Sequence, residues 1–333
     1  MEEEGVILLR EVDRSYSFPQ GLKEFQGKGF YRLERSEEGR TFSYTHGLNS
    51  IKEFLHPPVA ELIKMRSDLS QGDEEGEEGK MAFIGLRNCD LKAIKILDNV
   101  FMKGSTLPDL IYTKRRKGIF TVVVNCTEPS PNCFCISMNG SPFVEGGCDI
   151  SVTEIDEGFI VRAYTENGRD ILKEIKGEVV KDIHLRKEVE LKRRAEEYLK
   201  KIWDIDKLFD SLLRKLESPV WEEVERRCLA CGSCTMVCPT CFCYEVVDEV
   251  SFDFSESTRI RKWDVCFREE FSAIHGVPLR SSIKARYRQW LMHKFAYWIH
   301  QFGEYGCVGC GRCIAWCPVG IDIREEVKKV LEG

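Results

Sequence analysis

The residues best placed to do chemistry are two similar cysteine runs in the C-terminal third of the chain. Each has the spacing C-x2-C-x2-C-x3-C-P, in which three thiols can surround one iron-sulfur cube. The fourth thiol of each run is directed away by the extra residue and the proline, toward the cluster of the other run. The sequence therefore predicts two 4Fe-4S clusters with exchanged fourth ligands. We expect the first on Cys228, Cys231, Cys234 and Cys317, and the second on Cys307, Cys310, Cys313 and Cys238.

Zinc is the alternative metal for cysteine runs of this kind. Zinc modules usually supply two ligands from each knuckle, whereas each of these runs crowds three thiols ahead of a Cys-Pro pair. The pattern therefore favours iron-sulfur clusters. Because every iron then has a cysteine ligand, no position is open for substrate. We expect these clusters to carry electrons and to perform no bond chemistry themselves.

A third group of cysteines lies in the N-terminal half. Cys89 comes after the buried strand MAFIGL, and Cys126 follows a strand rich in β-branched residues. If these strands pair side by side, their ends bring the two thiols together, and the next loop adds Cys133 and Cys135. We predict a third 4Fe-4S cluster on these four thiols, with Cys148 as the substitute for any one of them. Thiols without a metal are the alternative.

The elements that must position these thiols predict an α+β fold. MAFIGL, the turn RNCD and the helix LKAIKILDNVF form a strand-turn-helix unit, and DISVTEIDEGFIVRAYTENG alternates as a hairpin would. We expect an N-terminal α/β-type domain at 1–180, with a solvated acidic loop at 71–80. A helical connector at 181–227 and a C-terminal α-helical ferredoxin-like dicluster domain with a helical insertion at 228–333 follow. The apolar stripe of the connector comprises Tyr198, Ile202, Trp203, Ile205, Phe209 and Leu212.

Composition argues against several other classes of protein. The 333 residues include 49 Lys and Arg against 55 Asp and Glu, so a net charge of -6 gives no reason to expect nucleic acid or an anionic membrane as partner. No apolar run approaches the length of a membrane span, and the N-terminus has no secretion-signal pattern. Sixteen cysteines in such a chain favour a reducing compartment. The predicted location is the cytoplasm.

Five segments resemble the beta subunit of the sulfhydrogenases of hyperthermophilic archaea. The sister family is the iron-sulfur electron-transfer subunit of anaerobic sulfite reductase. The matching segments cover both halves of the chain and are GLRNCDLKAIKILDNVF (85–101), CTEPSPNCFCISMNGSPFVEGGCDI (126–150), CPTCFCYEVVDEV (238–250), KWDVCF (262–267) and YGCVGCGRCIAWCPVGIDI (305–323).

The resemblance implies a cytoplasmic heterotetrameric nickel-iron hydrogenase. In such a complex, alpha and delta subunits form the hydrogenase, and the beta subunit joins a flavin- and NAD(P)-binding gamma subunit in the module that reduces sulfur or polysulfide. This chain would relay electrons between gamma and the hydrogenase subunits, without a complete active site of its own. The sequence agrees, because it has no Gly-rich dinucleotide fingerprint, no P-loop and no paired cysteine motifs of a nickel site.

Two other functions and one set of residues stay open at this point. The chain could be the electron-transfer subunit of a sulfite reductase, or a non-catalytic assembly module whose clusters only stabilise the fold. Two adjacent clusters are redundant as supports but useful as stepping points for electrons. Cys241, Cys243 and Cys266 exceed the eight ligands that two clusters need. We interpret them as small buried apolar groups, with direct reduction of polysulfide by one of them as the alternative.

Overall fold

The computed structural model describes residues 5–9, 22–35, 41–42, 44–45, 47–68, 80–104 and 107–332. The predicted acidic loop lies outside these residues except for Lys80. The strands within the described residues are β1 Val6–Leu9, β2 Leu22–Gly27, β3 Phe30–Arg35, β4 Val59–Arg66, β5 Met81–Leu86, β6 Ile119–Val124, β7 Ile150–Ile155, β8 Gly158–Ala163, β9 Glu178–Val179, β10 Tyr244–Val250, β11 Glu256–Trp263, β12 Ala273–Ile274 and β13 Val277–Pro278.

Helices of very different lengths connect these strands and dominate the C-terminal third. Two of them continue through π-helical turns, α2 at Asn99–Lys103 and α9 at His293–Tyr297. The α-helices are α1 Lys52–Leu55, α2 Asn88–Asp98, α3 Leu110–Lys117, α4 Glu166–Lys173, α5 Asp182–Leu199, α6 Ile205–Leu213, α7 Val220–Glu225, α8 Ser233–Met236, α9 Ile283–Met292, α10 Trp298–Phe302, α11 Arg312–Ala315 and α12 Ile323–Glu332.

A mixed six-stranded sheet organises the N-terminal half, with the strand order β5-β6-β7-β8-β1-β9. β5, β6 and β7 run parallel to one another, and the remaining pairs are antiparallel. The predicted hairpin is confirmed, because Ile155 pairs with Gly158 across its turn. The parallel pairing of β5 and β6 also places the chain after each of them at the same edge of the sheet, as the prediction of the third cluster requires.

The predicted strand-turn-helix unit is present, with a shorter turn. The sequence RNCD was expected to be a turn, but α2 already begins at Asn88. Its first turn is capped because the Asp90 carboxylate accepts a hydrogen bond from the backbone N–H of Arg87 at 2.9 Å. The predicted apolar face is confirmed, since one buried cluster contains Leu91, Ile94, Leu97 and Phe101.

The largest buried core belongs to the helices of the C-terminal half. It includes Trp203, Ile205 and Leu212 of the predicted connector, packed against residues of α7, α9 and α12. Tyr198 was expected on the same stripe but is 55% exposed, because it lies on α5 ahead of the bend that leads to α6. The Trp203 indole N–H donates to the Ser137 carbonyl oxygen at 2.9 Å, which ties this core to the N-terminal half.

The insertion between the cysteine runs is only partly helical, which corrects the sequence-based expectation. Its first part forms β10 and β11, which pair antiparallel, and β11 also pairs with β4 of the N-terminal half. The alternating sequences YEVVDEV and ESTRIRKW suit such a half-exposed ribbon. The second part is helical as expected, from α9 through α10. Among the described residues, none of the helices has the length and apolar character needed to cross a bilayer.

Candidate iron-sulfur centres

The first centre is a cavity at the start of the C-terminal cysteine runs. Cys228, Cys231, Cys234 and Cys317, the four residues predicted for the first cluster, all line it, together with apolar and aromatic side chains. Backbone N–H groups point at its sulfurs, since Ala230 donates to Cys228 Sγ at 3.4 Å and Ile321 donates to Cys317 Sγ at 3.3 Å. Thiols and amides arranged in this way fit a 4Fe-4S cluster, which takes thiolate ligands and N–H donors to its sulfurs.

The second centre combines Cys307, Cys310 and Cys313 with Cys238 of the other run. Burial raises the pKa of each of the first three thiols, to about 12 for Cys307, and the nearby Cys238 raises it further in every case. The Gly309 backbone N–H donates to Cys307 Sγ at 3.4 Å. The structure therefore brings together the four thiols predicted for the second cluster, including the exchanged one.

A buried lysine lies against this second centre. Lys294 Nζ donates to Cys238 Sγ at 3.2 Å and to Thr240 Oγ1 at 3.1 Å, and the side chain is 3% exposed. Burial opposes its charge, but the thiols of Cys238 and its neighbours raise its pKa overall. The pKa of Cys238 is in turn well below its usual range, first through a hydrogen bond with Cys241 and also through Lys294. Thiolate character at Cys238 is what a metal ligand needs.

The third centre lies beside the second, in the N-terminal half. Cys89, Cys126, Cys133 and Cys135 line one cavity, and Cys310 of the second centre lines it too. Cys89 is supplied by the first turn of α2, Cys126 by the chain after β6, and the other two by the following loop. Cys148 is not among these residues. Together with Lys95, it lines a different cavity.

Two glycines allow the second and third centres to approach each other closely. Gly309 has φ +69°, and a Cβ atom there would lie 2.6 Å from the backbone N and Cα of Cys135. Gly311 has φ +78°, and its Cβ would lie 2.5 Å from the Asn132 carbonyl oxygen. Neither position can hold a side chain without moving the backbone opposite. The Phe134 N–H also donates to the Gly309 carbonyl oxygen at 2.8 Å, so the two cysteine loops form one packed unit.

The donor set of the third centre fits a metal cluster and explains little otherwise. Burial raises the pKa of Cys89, Cys126, Cys133 and Cys135, the last to about 12. Metal binding reverses this situation, because coordination deprotonates thiols outright. Among the described residues, no group of three or more His, Cys, Asp or Glu side chains is arranged around a single metal ion. A cubane needs a wider arrangement, because four irons separate its thiolates.

Buried arginines flank the third centre. Arg87 is 2% exposed, hydrogen-bonds to Cys126 and donates to the carbonyl oxygens of Val124 at 3.2 Å and Asn125 at 3.3 Å. Arg312 Nη2 forms a buried ion pair with Asp90 Oδ1 at 3.0 Å. Fixed positive charges beside thiolate-ligated clusters offset their negative charge. Sequence analysis missed Arg87, Arg312 and Lys294, because only the folded chain brings them to the cysteines; the one signal was their presence within or near the cysteine motifs.

The three surplus cysteines lie beside the second centre. Cys241 hydrogen-bonds to Cys238, and Cys243 hydrogen-bonds to Cys266. Lys52, which is 2% exposed and donates to the Met236 carbonyl oxygen at 3.0 Å, is held in the same region. Burial lowers the pKa of Lys52, against the opposing effect of Cys241 and Cys238. Packing alone does not account for two paired thiols beside two buried lysines.

Comparison with known proteins agrees with this description. Residues 227–321 match the 4Fe-4S dicluster domain family, so the C-terminal third is an iron-sulfur electron-transfer domain. Over nearly its whole length the chain is also similar to sulfhydrogenase 2 subunit beta of Pyrococcus furiosus, with 32% identity over 333 residues, 98% of this chain and 94% of the relative. The chain therefore belongs to the sulfhydrogenase beta subunit family, as an iron-sulfur subunit of a redox complex. No solved structure matches it.

Proposed function

We propose that this chain relays electrons through three 4Fe-4S clusters inside a cytoplasmic sulfhydrogenase complex. The first cluster is held by Cys228, Cys231, Cys234 and Cys317, the second by Cys307, Cys310, Cys313 and Cys238, and the third by Cys89, Cys126, Cys133 and Cys135. Each cluster, when bound, accepts and releases one electron at a time. The chain's own residues fix the positions of the clusters and the charge around them.

The observation that carries this proposal is the continuity of the three cysteine sets. Cys310 belongs to the second set and also lines the cavity of the third. Cys313 belongs to the second set and also lines the cavity of the first. Electrons could therefore pass from the third site through the second to the first without leaving the protein interior. A set of clusters that served only as structural supports would not need this order.

The two ends of the relay differ in exposure, which supports different partners at each end. At the first site, Cys231 is exposed, and Leu229 beside it is 62% exposed. At the third site, all four thiols are buried or half-buried. We infer that the nickel-iron hydrogenase subunits, alpha and delta, and the flavin- and NAD(P)-binding gamma subunit contact this chain in a heterotetramer. With gamma, it forms the module that reduces sulfur or polysulfide. The name of the P. furiosus relative supports this assignment over a sulfite reductase.

The test uses the complex purified from its native source with this chain tagged. Identification of the co-purifying subunits separates a hydrogenase from a sulfite reductase. In that complex, Cys234→Ser should abolish hydrogen evolution driven by the reduced nicotinamide cofactor. Hydrogen evolution from reduced viologen and dye reduction by the nicotinamide cofactor should both persist, because each uses one partner alone.

The matched control is Cys148→Ser, which removes a buried thiol from a cavity away from all three sites. It should leave the coupled reaction and both partial reactions unchanged. Coupled hydrogen evolution at the wild-type rate in the Cys234→Ser complex would contradict the relay.

A further inference from the structure

Two thiols outside the three cysteine sets face each other at the end of the β10–β11 ribbon. Cys243 comes directly before β10, and Cys266 follows β11 by three residues. The ribbon closes between them, because the Asp264 N–H donates to the Cys243 carbonyl oxygen at 3.0 Å. Both are free thiols, and their side chains hydrogen-bond to each other. Thiols in such contact can form a disulfide with little movement of the chain.

The pair opens into a cavity that has polar as well as aromatic walls. Cys243 and Cys266 line a cavity of about 370 Å³ together with Arg280, His293 and Trp290. His293 Nε2 is hydrogen-bonded to Gln301 Oε1 at 3.0 Å. Trp290 is 4% exposed, and within the described part of the chain its indole N–H has no hydrogen-bond partner. An arginine and an unpaired indole N–H in one cavity suit a small anion.

The pair is also close to the second iron-sulfur site. Cys241, two residues before Cys243, hydrogen-bonds to the proposed ligand Cys238. Lys294, which donates to Cys238 Sγ at 3.2 Å, is near enough to act electrostatically on both Cys243 and Cys266. A short path through protein therefore joins the thiol pair to a centre that holds electrons.

We propose that Cys243 and Cys266 are a redox-active dithiol that reduces the sulfur–sulfur bonds of inorganic polysulfide bound in this cavity. The inference rests on the proposed function, because the neighbouring relay must regenerate the dithiol. It places the chemistry of sulfur reduction in this chain and not only in a partner subunit.

The reaction proceeds in three balanced steps. The Cys243 thiolate attacks one sulfur of the polysulfide chain, which forms a Cys243–sulfur bond and releases the remainder as a shorter anion. The Cys266 thiolate then attacks Cys243 Sγ, which forms the Cys243–Cys266 disulfide and releases the bound sulfur fragment as a second anion. Two electrons, delivered one at a time by the relay, together with two protons, return the disulfide to two thiols. Arg280 offsets the charge of the polysulfide and its products.

The electrostatics of the pair assign the attacking role. Cys266 acts as the hydrogen-bond donor to Cys243, which lowers the pKa of Cys243 despite its burial, with Lys294 and Lys52 contributing. The same hydrogen bond raises the pKa of Cys266. Cys243 is therefore the thiolate that attacks first, and Cys266 resolves the adduct.

The experiment uses the whole complex, loaded with clusters, and inorganic tetrasulfide as the probe. With the reduced nicotinamide cofactor as electron donor, Cys243→Ser and Cys266→Ser should each lose sulfide formation, whereas hydrogen evolution and iron content stay at the wild-type level. Without a donor, mass spectrometry should find a Cys243–Cys266 disulfide in the wild type after tetrasulfide, and a sulfur adduct on Cys243 in Cys266→Ser. Cys148→Ser is the control and should behave as the wild type.

Two outcomes would overturn the dithiol. Sulfide formation at the wild-type rate in both variants would place the reduction elsewhere. Loss of iron in either variant would make these thiols cluster ligands instead. A wild-type complex that transfers no electrons from the nicotinamide cofactor to hydrogen would instead refute the proposed relay, so the two failures are distinguishable.

Discussion

Arg312 Nη2 lies 3.0 Å from Asp90 Oδ1, and the two side chains are 2% and 5% exposed. Asp90 follows Cys89 of the third site, and Arg312 stands between Cys310 and Cys313 of the second. One buried ion pair thus joins the cysteine loops of two proposed clusters that are more than two hundred residues apart in the chain. Asp90 also caps α2, so the pair fixes the start of that helix as well.

Removal of one partner of this ion pair should destabilise the protein strongly. Arg312→Met leaves the Asp90 carboxylate buried without its cation, which should cost about 3–5 kcal/mol in the free energy of unfolding. Lys329→Met is the matched control, because it breaks the exposed ion pair with Glu223 and should cost no more than about 1 kcal/mol. Anaerobic chemical unfolding of the cluster-loaded chains measures both, and equal losses in the two variants would refute the structural role of the pair.

The exchange of fourth ligands predicts which cluster each variant damages. Cys238→Ala should alter the paramagnetic resonance signal of the cluster on Cys307, Cys310 and Cys313, although Cys238 is nearer in sequence to the other run. Cys317→Ala should alter the signal of the cluster on the first run. Signals that change in the opposite assignment would mean that each run binds its own cluster with all four of its thiols.

Lys294 should raise the reduction potential of the second cluster. An added electron increases the negative charge of the cluster, and the buried ammonium that donates to Cys238 Sγ stabilises that reduced form. Lys294→Met should therefore lower the potential by roughly 50 mV, the equivalent of a hydrogen bond to a charged group. Redox titration followed by paramagnetic resonance measures it, with the first cluster as the internal control. An unchanged second potential would show that Lys294 serves packing alone.

His56 should make the fold sensitive to mild acid. Its ring is fully buried, and burial, with Arg261 and Lys52, lowers its pKa from 6.5 to about 3. The unfolded chain then takes up a proton that the folded chain cannot, so stability is lost as pH falls below about 6.5. Between about pH 7.5 and about pH 5, His56→Phe should lose about 2 kcal/mol less than the wild type. The exposed His300 provides the control, since His300→Phe should keep the wild-type dependence.

Sequence reasoning succeeded where the chemistry depends on local spacing. The two C-x2-C-x2-C-x3-C-P runs predicted the dicluster domain, and the strands before Cys89 and Cys126 predicted that these two thiols meet. It failed where long-range packing decides. The ribbon of β10 and β11 needs β4 as its third strand, and Lys52 reaches the second site from a helix far away in sequence. Cys148 follows the same loop as Cys135, but the start of β7 carries it into another cavity.

The most direct test of the relay is an iron and acid-labile sulfide count on the anaerobically purified, fully loaded chain. Three clusters predict about twelve irons per chain and negligible zinc, at four irons per cubane. Cys126→Ser should lower the count to about eight, because it removes a ligand of the third cluster, and Cys148→Ser should leave it at about twelve. A stable count near eight in the wild type, unchanged by Cys126→Ser, would contradict the three-cluster relay.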